Sequence, residues 1–300
     1  MKQILITGGT GFIGSALVHK IQSSNCKLIV LSRQDNPGIA KFNNVEIIQN
    51  LNQIKKDTSL DAVINLAGEA IADKRWTKHR KQQLENSRIA LTHELINVLK
   101  SLKTKPNVFI SGSAVGFYGN GEDKFLSEIS APAIDYAHQL CHQWEMAARA
   151  AEDMGIRTCI IRTGLVVGKN GGFLKKMLPA FKVGLGGPLA SGRQWMSWIH
   201  LQDMVHIIEF LLINEKCQGN YNATAPTPVT NLEFTKALND ALGKSLFFAT
   251  PAWLLKLMFG EMSSLLLEGQ RVIPQRLLDA GFTFRFNQIN DAILDIVCHK

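Results

Sequence analysis

Met1-Lys-Gln-Ile-Leu-Ile-Thr-Gly-Gly-Thr-Gly-Phe-Ile-Gly14 is the stretch that decides the fold. Its apolar run from Ile4 to Ile6 is too short for a helix and leads directly into glycines, so it predicts a buried strand that enters a tight turn. Helical spacing then runs from Phe12 to Ser24. The pattern G-x-G-x-x-G lies between the two elements, at Gly9, Gly11 and Gly14.

The glycines of this turn each have a separate physical reason. One leaves room for the turn, one lets a pyrophosphate approach the backbone, and one allows the helix to pack closely on the strand. The helix that follows offers free N–H groups and a positive dipole end to a phosphate. A tight turn with no ligand is the alternative, but the strand before it and the helix after it favour a bound dinucleotide.

Composition places the chain among ordinary globular proteins. The chain has 300 residues, of which 46% are hydrophobic and 19% charged. Its five cysteines show no paired spacing, which favours reduced thiols. We find no secretory leader pattern and no apolar run of the roughly 18 residues that a membrane span needs, so we expect a cytoplasmic protein without membrane partners.

The net charge of +8 is spread along the sequence without a long basic tract or a nucleic-acid-binding motif. An anionic cofactor and substrate explain a mild cationic excess as well as a nucleic acid does. We therefore expect a small-molecule substrate and no nucleic acid. No set of ligands for a metal is evident, and a homodimer is the oligomer that we consider possible.

The end of the second strand, Lys27 to Leu31, selects the cofactor in a dinucleotide fold. An acid there accepts the ribose 2′-OH of NAD, whereas an arginine suits the 2′-phosphate of NADP. The sequence has Ser32 and Arg33 at this point. Asp35 is the competing acid, but it lies in a turn-forming stretch where Asp is common. We therefore predict NADP.

A third and a fourth strand, Val45 to Ile48 and Ala62 to Leu66, continue the alternation of strands and helices. The fourth ends in small residues, Ala67 and Gly68, that allow a cofactor to cross the sheet closely, and Glu69 is the polar group expected beside it. On the predicted helix from Thr77 to Leu102, Arg88 lies on the apolar stripe. It is either a cofactor contact, a residue of an internal ion pair or a side chain whose charged end reaches the surface.

Two regions follow from the pattern along the chain. The fold class is α/β, with a doubly wound parallel sheet in residues 1–170. In residues 171–300 the alternation of strands and helices is less regular. We predict that they form a smaller substrate-binding lobe, interleaved with the sheet edge.

Several longer strings indicate a family. The chain resembles the extended short-chain dehydrogenases/reductases of the NAD-dependent epimerase/dehydratase superfamily and, more narrowly, the YfcH-type epimerase-family proteins with a DUF1731-like C-terminal segment. The strings that carry the resemblance are Gly8-Gly-Thr-Gly-Phe-Ile-Gly14, Asn65-Leu-Ala-Gly-Glu-Ala-Ile-Ala-Asp-Lys-Arg-Trp76, Ser111-Gly-Ser113, Cys141-His-Gln-Trp-Glu145, Arg162-Thr-Gly164, Gly184-Leu-Gly-Gly-Pro188, Trp198-Ile-His-Leu-Gln-Asp203 and Glu268-Gly-Gln-Arg-Val-Ile-Pro-Gln-Arg276.

The resemblance implies a Rossmann-type sheet that binds NADP. The resemblance and the motifs together predict the cofactor-binding residues, which are Gly8, Gly11, Phe12, Ile13, Gly14, Ser32, Arg33, Leu66, Ala67, Gly68, Glu69, Arg88, Leu165 and Val166.

One element of the superfamily pattern is missing. Its chemistry normally uses Tyr-x-x-x-Lys, in which the ammonium lowers the pKa of the phenol. The three tyrosines of this chain are followed four residues later by Glu122, Leu140 and Ala225. Ser113 is retained as a catalytic candidate. The positions of the tyrosine and the lysine are taken by Tyr136 and Leu140 or, if the alignment is shifted, by Cys141 and Glu145.

Glu145 would raise the pKa of the Cys141 thiol, so Cys141 is a poor thiolate nucleophile. It is either a proton donor or a small buried residue on an apolar helix stripe. The expected function is an NADP-dependent oxidoreductase or epimerase acting on a small polar or nucleotide-linked carbonyl or hydroxyl compound. The alternative is a non-catalytic NADP-binding sensor or regulatory protein.

Overall fold

Short apolar segments form the strands, as expected of strands that are buried on both faces. In the computed structural model, which describes residues 2–22, 26–34, 38–169, 171–246 and 248–298, the strands are β1 Lys2–Thr7, β2 Cys26–Leu31, β3 Val45–Ile48, β4 Ala62–Asn65, β5 Val108–Ala114, β6 Phe125–Leu126, β7 Arg157–Thr163, β8 Leu165–Val167, β9 Trp195–Met196, β10 Trp198–His200, β11 Gly219–Ala223, β12 Val229–Thr230 and β13 Arg271–Val272.

Helices connect most of these strands. They are α1 Phe12–Ile21, α2 Lys78–Glu85, α3 Leu91–Ser101, α4 Tyr136–Arg149, α5 Gly172–Lys182, α6 Leu201–Ile213, α7 Asn231–Leu242, α8 Ala252–Phe259, α9 Ser264–Leu267, α10 Gln275–Asp279 and α11 Ile289–Cys298. Along the described part of the chain, no helix combines the length and the apolar character that a membrane crossing requires.

Within these residues, seven strands form one parallel sheet in the order β11-β7-β5-β4-β1-β2-β3. Ile4 and Ile6 of β1 face the layer that contains α1 and α6, while Leu5 faces the layer of α3 and α4. The alternation follows from the two-residue period of a strand. The predicted doubly wound sheet of the Rossmann type is confirmed.

The C-terminal part of the chain contributes to both the sheet and a separate core. Strand β11 joins the edge of the sheet; the sequence pattern predicted that this region is interleaved with the sheet edge but did not identify the strand. Helices α5, α7 and α11 share a third apolar cluster that includes Trp198 and Phe234. The division at residues 170 and 171 into two domains stays a prediction, because the sheet takes its last strand from the second region.

The helix predicted from Thr77 to Leu102 is interrupted. Thr77 caps α2 by accepting a hydrogen bond from the N–H of Arg80, and a π-helical turn at Asn86–Ala90 separates α2 from α3. Periodicity alone does not reveal a one-residue widening of this kind. Helix α1 ends at Ile21, and the end predicted at Ser24 lies outside the described residues.

Asp203 joins helix α6 to the C-terminal segment. Its carboxylate is fully buried and accepts the backbone N–H of Arg285 at 2.9 Å and of Phe286 at 2.9 Å. Burial raises the pKa of this carboxyl, and the two N–H donors oppose that rise.

We expect Asp203→Asn to destabilise the protein by about 1 to 3 kcal/mol, because an amide keeps one acceptor and turns an N–H toward the other donor. Urea unfolding followed by circular dichroism measures the change. Asp57→Asn, in an exposed loop, is the matched control. Equal midpoints for the two variants would show that the Asp203 hydrogen bonds do not hold the two segments together.

Candidate cofactor and active site

The glycine turn brings three backbone segments together. Gly8 has a φ of +70°, and a Cβ there would lie 2.6 Å from the carbonyl carbon of Leu66. A Cβ at Gly14 would overlap the carbonyl oxygen of Gly8. Gly11 stands at the N-cap of α1 without a side-chain cap, so the first N–H groups of the helix are free of such a partner.

A groove of about 950 Å³ opens over this turn, where β1 separates β2 from β4. This is the switch point at which ligands bind in open parallel sheets. It is lined by Gly8, Thr10, Gly11, Leu31, Ser32, Arg33, Gln49, Asn50, Leu51, Leu66, Ala67, Gly68, Glu69, Lys74, Arg80, Gln83, Asn86, Ser87, Ala90, Leu91 and Glu94.

The end of β2 lies at the rim of this groove. Ser32 is buried, and its hydroxyl accepts the N–H of Gln34 at 3.0 Å, which fixes the turn after the strand. The side chain of Arg33 is 90% exposed and pairs with Glu69, with 3.0 Å between Nη2 and Oε1. Asp35, the competing acid, lies outside the described residues.

The end of β4 is fixed by side chains beneath it. Thr7 donates from its hydroxyl to Oδ1 of Asn65 at 2.6 Å and accepts the N–H of Ala67 at 3.3 Å. Asn65 in turn donates to the hydroxyl of Thr92 at 2.9 Å. Because these groups are buried and hydrogen-bonded to one another, they anchor the backbone of Leu66 and Ala67 beside the groove.

Arg88 is largely buried beneath the same segment. Its guanidinium donates to the carbonyl oxygens of Glu69 at 2.8 Å and of Leu84 at 3.3 Å, and it lies 5.4 Å from the ring centroid of Trp144. Burial lowers the pKa of this group. Its hydrogen-bond partners include no carboxylate among the described residues, and Arg88 does not line the groove. A direct cofactor contact stays a prediction.

Four other expected cofactor residues lie nearby. The ring of Phe12 packs against Gly168, Gly171 and Gly172, so it joins α1 to the start of α5. Ile13 is half-buried against the core under β1. Leu165 and Val166 lie in β8, which pairs with β10. Their contact with a cofactor stays a prediction.

Ser113 lies near the carboxyl end of β5 in a buried polar cluster. Its hydroxyl donates to Oε1 of Glu145 at 2.7 Å. Arg162 grips both oxygens of that carboxylate at 2.9 Å each and donates to the Tyr118 hydroxyl at 3.0 Å. The guanidinium also stacks 3.4 Å from the ring centroid of Phe117. The charges of this cluster are therefore paired within it.

Cys141 lies on the same face of α4 as Glu145. Burial, with the charge of Glu145 second, raises the pKa of its thiol to about 12, while Ser113 and the backbone of Ala114 act in the opposite direction. The thiol is therefore protonated at neutral pH. The structure brings Ser113 together with Cys141 and Glu145, which lie four residues apart on α4, and the catalytic roles of Ser113 and Cys141 stay predictions.

Tyr136 lies in a different cluster. Its hydroxyl donates to the carbonyl oxygen of Lys81 at 3.4 Å, and its ring meets Trp76 edge to face at 5.0 Å. The ammonium of Lys81 is 4.3 Å from the ring centroid. Burial raises the pKa of the phenol to about 12, the reverse of what an activated tyrosine requires.

Sequence reasoning missed part of the groove. Gln49, Asn50 and Leu51 follow β3 directly, so their place at the carboxyl edge could have been found from the strand order. The helix α2 and the π-helical turn pack across the groove, which the sequence pattern does not specify, and they contribute the lining residues Arg80, Gln83, Asn86, Ser87 and Ala90.

The chain matches two family models, the NAD dependent epimerase/dehydratase family over residues 4–223 and the domain of unknown function DUF1731 over residues 250–296. The epimerase family protein SDR39U1 homolog, chloroplastic, of Arabidopsis thaliana is 36% identical over 98% of this chain and 86% of the relative. The epimerase family protein Mb2239 of Mycobacterium bovis is 38% identical over 97% and 96%.

Solved structures support the same family assignment. The crystal structure of human epimerase family protein SDR39U1 (isoform 2) with NADPH has a TM-score of 0.90 and 30% identity, and the match covers 99% of this chain and 100% of that chain. UDP-glucuronic acid 4-epimerase of Bacillus cereus, at 16% identity and a TM-score of 0.80, shares the fold. The resemblance carried by the sequence motifs is thus confirmed, and the chain belongs to the NAD dependent epimerase/dehydratase family, with a DUF1731 domain following the epimerase region.

Proposed function

We propose that this protein is an NADP-dependent oxidoreductase or epimerase that acts on a small polar or nucleotide-linked carbonyl or hydroxyl compound. The observation that carries the proposal is the groove at the switch point, with a glycine turn at its floor and Arg33 at its rim. The human relative crystallised with NADPH supports the choice of cofactor.

The residues of the groove fit such a cofactor. Gly8, Gly11 and Gly14 keep the turn free of side chains, and the uncapped N-terminus of α1 suits a pyrophosphate. Arg33 would hold the 2′-phosphate, since a guanidinium matches the geometry of phosphate oxygens. Ala67 and Gly68 leave the sheet edge open for the cofactor to cross.

The bound nicotinamide would supply hydride transfer. Ser113 donates its proton to Glu145, so towards a substrate hydroxyl its oxygen would act as a hydrogen-bond acceptor. Cys141 keeps its proton at neutral pH and is the nearest candidate for holding a proton beside that oxygen. Tyr136 is the second candidate, and it would have to leave the carbonyl of Lys81.

A non-catalytic NADP-binding sensor is the second proposal. In the superfamily an ammonium lowers the pKa of a catalytic phenol. Here a carboxylate, Glu145, stands in place of the ammonium and is already paired with Arg162, which favours the sensor. A small-molecule substrate, the cytoplasmic location and a homodimer stay predictions.

We expect Arg33→Asp to weaken NADP binding by at least about tenfold and NAD binding by much less, since only NADP carries the phosphate that the guanidinium would grip. Titration calorimetry with both cofactors measures the effect. Arg193→Asp makes the same charge change at an exposed loop position away from the groove and serves as control. Equal losses of NADP and NAD affinity in Arg33→Asp would contradict the proposed role.

For turnover, we expect a panel of carbonyl compounds and nucleotide sugars to include a substrate, detected by reduced-nicotinamide absorbance and by mass spectrometry of products. Ser113→Ala should then lower kcat/KM on the order of 100-fold, because it removes the group that orients the substrate oxygen. Its NADP affinity should be unchanged.

Ser101→Ala, at the exposed end of α3, is the control for turnover. NADP binding without turnover of any compound in the panel would favour the sensor. A Ser113→Ala variant as active as the wild type would remove Ser113 from the mechanism.

A further inference from the structure

Glu69 sits between two arginines at the rim of the groove. Its Oε1 lies 3.0 Å from Nη2 of Arg33, and its Oε2 lies 3.5 Å from Nη1 of Arg80. The hydrogen bond from Arg33 is the main cause that lowers the pKa of this carboxyl. Two guanidinium groups that converge on one small anion form the arrangement that also binds a phosphate.

Arg80 is the less expected of the two cations. It is 6% exposed, and it donates to the Ala70 carbonyl at 2.7 Å and to the Gln83 amide oxygen at 3.1 Å. Its Nε is buried and has no hydrogen-bond partner among the described residues. Arg80 lines the groove, and as a buried cation with an unpartnered Nε and an ion pair at 3.5 Å it retains donor capacity.

The backbone of Glu69 is fixed while its side chain is not. Its N–H donates to the Ser87 hydroxyl at 3.0 Å, and its carbonyl oxygen accepts from Arg88 at 2.8 Å. Among the described residues the carboxylate is held by the two ion pairs alone, and its side chain is 31% exposed. Rotation of one side chain is therefore enough to clear the space between Arg33 and Arg80.

We propose that the Glu69 carboxylate is a built-in placeholder for the 2′-phosphate of the cofactor, and that Arg80 is the second cation of that phosphate site. This inference rests on the proposed function. A phosphate dianion displaces the carboxylate from both guanidinium groups, whereas the neutral 2′-OH of NAD does not. The placeholder keeps the two cations paired when no nucleotide is bound and weakens NADP binding by the cost of its own displacement.

Titration calorimetry of NADP, NAD and adenosine 2′-phosphate tests the placeholder. We expect Glu69→Gln to tighten the binding of NADP and adenosine 2′-phosphate about tenfold, because the competing charge is gone while the shape is kept. NAD affinity should stay within about twofold. Glu94→Gln removes another carboxylate that lines the same groove, and its effect on the three affinities measures the contribution of lost negative charge alone, which we expect to be well below that of Glu69→Gln.

Arg80 is tested in parallel. We expect Arg80→Gln to weaken adenosine 2′-phosphate and NADP about tenfold without changing NAD, and Arg80→Lys to retain part of the affinity. Thermal unfolding identifies variants that fail to fold. If Arg80→Gln does not fold, the affinities of Arg80→Lys and Glu69→Gln for NADP and adenosine 2′-phosphate test the proposal.

The outcomes separate this inference from the function on which it rests. A wild-type protein that binds neither cofactor overturns the proposed function. If the wild type binds NADP but Glu69→Gln binds it no more tightly, or binds NADP and NAD more weakly, Glu69 is not a placeholder. An equal gain in Glu94→Gln would assign the effect to the general field of the groove and would also overturn the proposal.

Discussion

The close approach of three backbone segments at the glycine turn is the constraint on which the rest of the structure depends. The end of β4 passes so near Gly8 that a Cβ would contact Leu66, and α1 begins so near β1 that Gly14 has no room for a side chain. This packing aligns the carboxyl ends of β1, β2 and β4. It also leaves the N-terminus of α1 open to the groove, which gives a family of dinucleotide-binding proteins its common site.

The rim of the groove is built differently from its floor. Backbone groups and small residues form the floor, whereas ion pairs among long side chains form the rim around Glu69. The backbone N–H of Glu69 donates to the Ser87 hydroxyl and its carbonyl oxygen accepts from Arg88, so hydrogen bonds fix the backbone there. Under the proposed function, the floor would bind the pyrophosphate and the charged rim would bind the 2′-phosphate.

The region that would carry the chemistry departs from its superfamily in charge. Where the superfamily has a phenol and an ammonium four residues apart, α4 presents the thiol of Cys141 and the carboxylate of Glu145. The carboxylate is paired with Arg162 from β7, so the charges in the cluster remain balanced although an anion stands where the superfamily has a cation. Burial keeps Cys141 protonated. Any proton transfer here therefore follows a different route from that of an activated tyrosine.

The sequence by itself determined the parallel sheet, the glycine turn, the residues at the ends of β2 and β4, and the missing Tyr-x-x-x-Lys pair, because these depend on local spacing and on strand order. Tertiary structure alone decided the π-helical turn at Asn86–Ala90, the place of β11 in the sheet and the convergence of Arg33 and Arg80 on Glu69. Arg33 and Glu69 are far apart in the chain. Their contact arises only when β1 brings the ends of β2 and β4 to its two sides, and no local pattern encodes a distance between side chains that packing alone fixes.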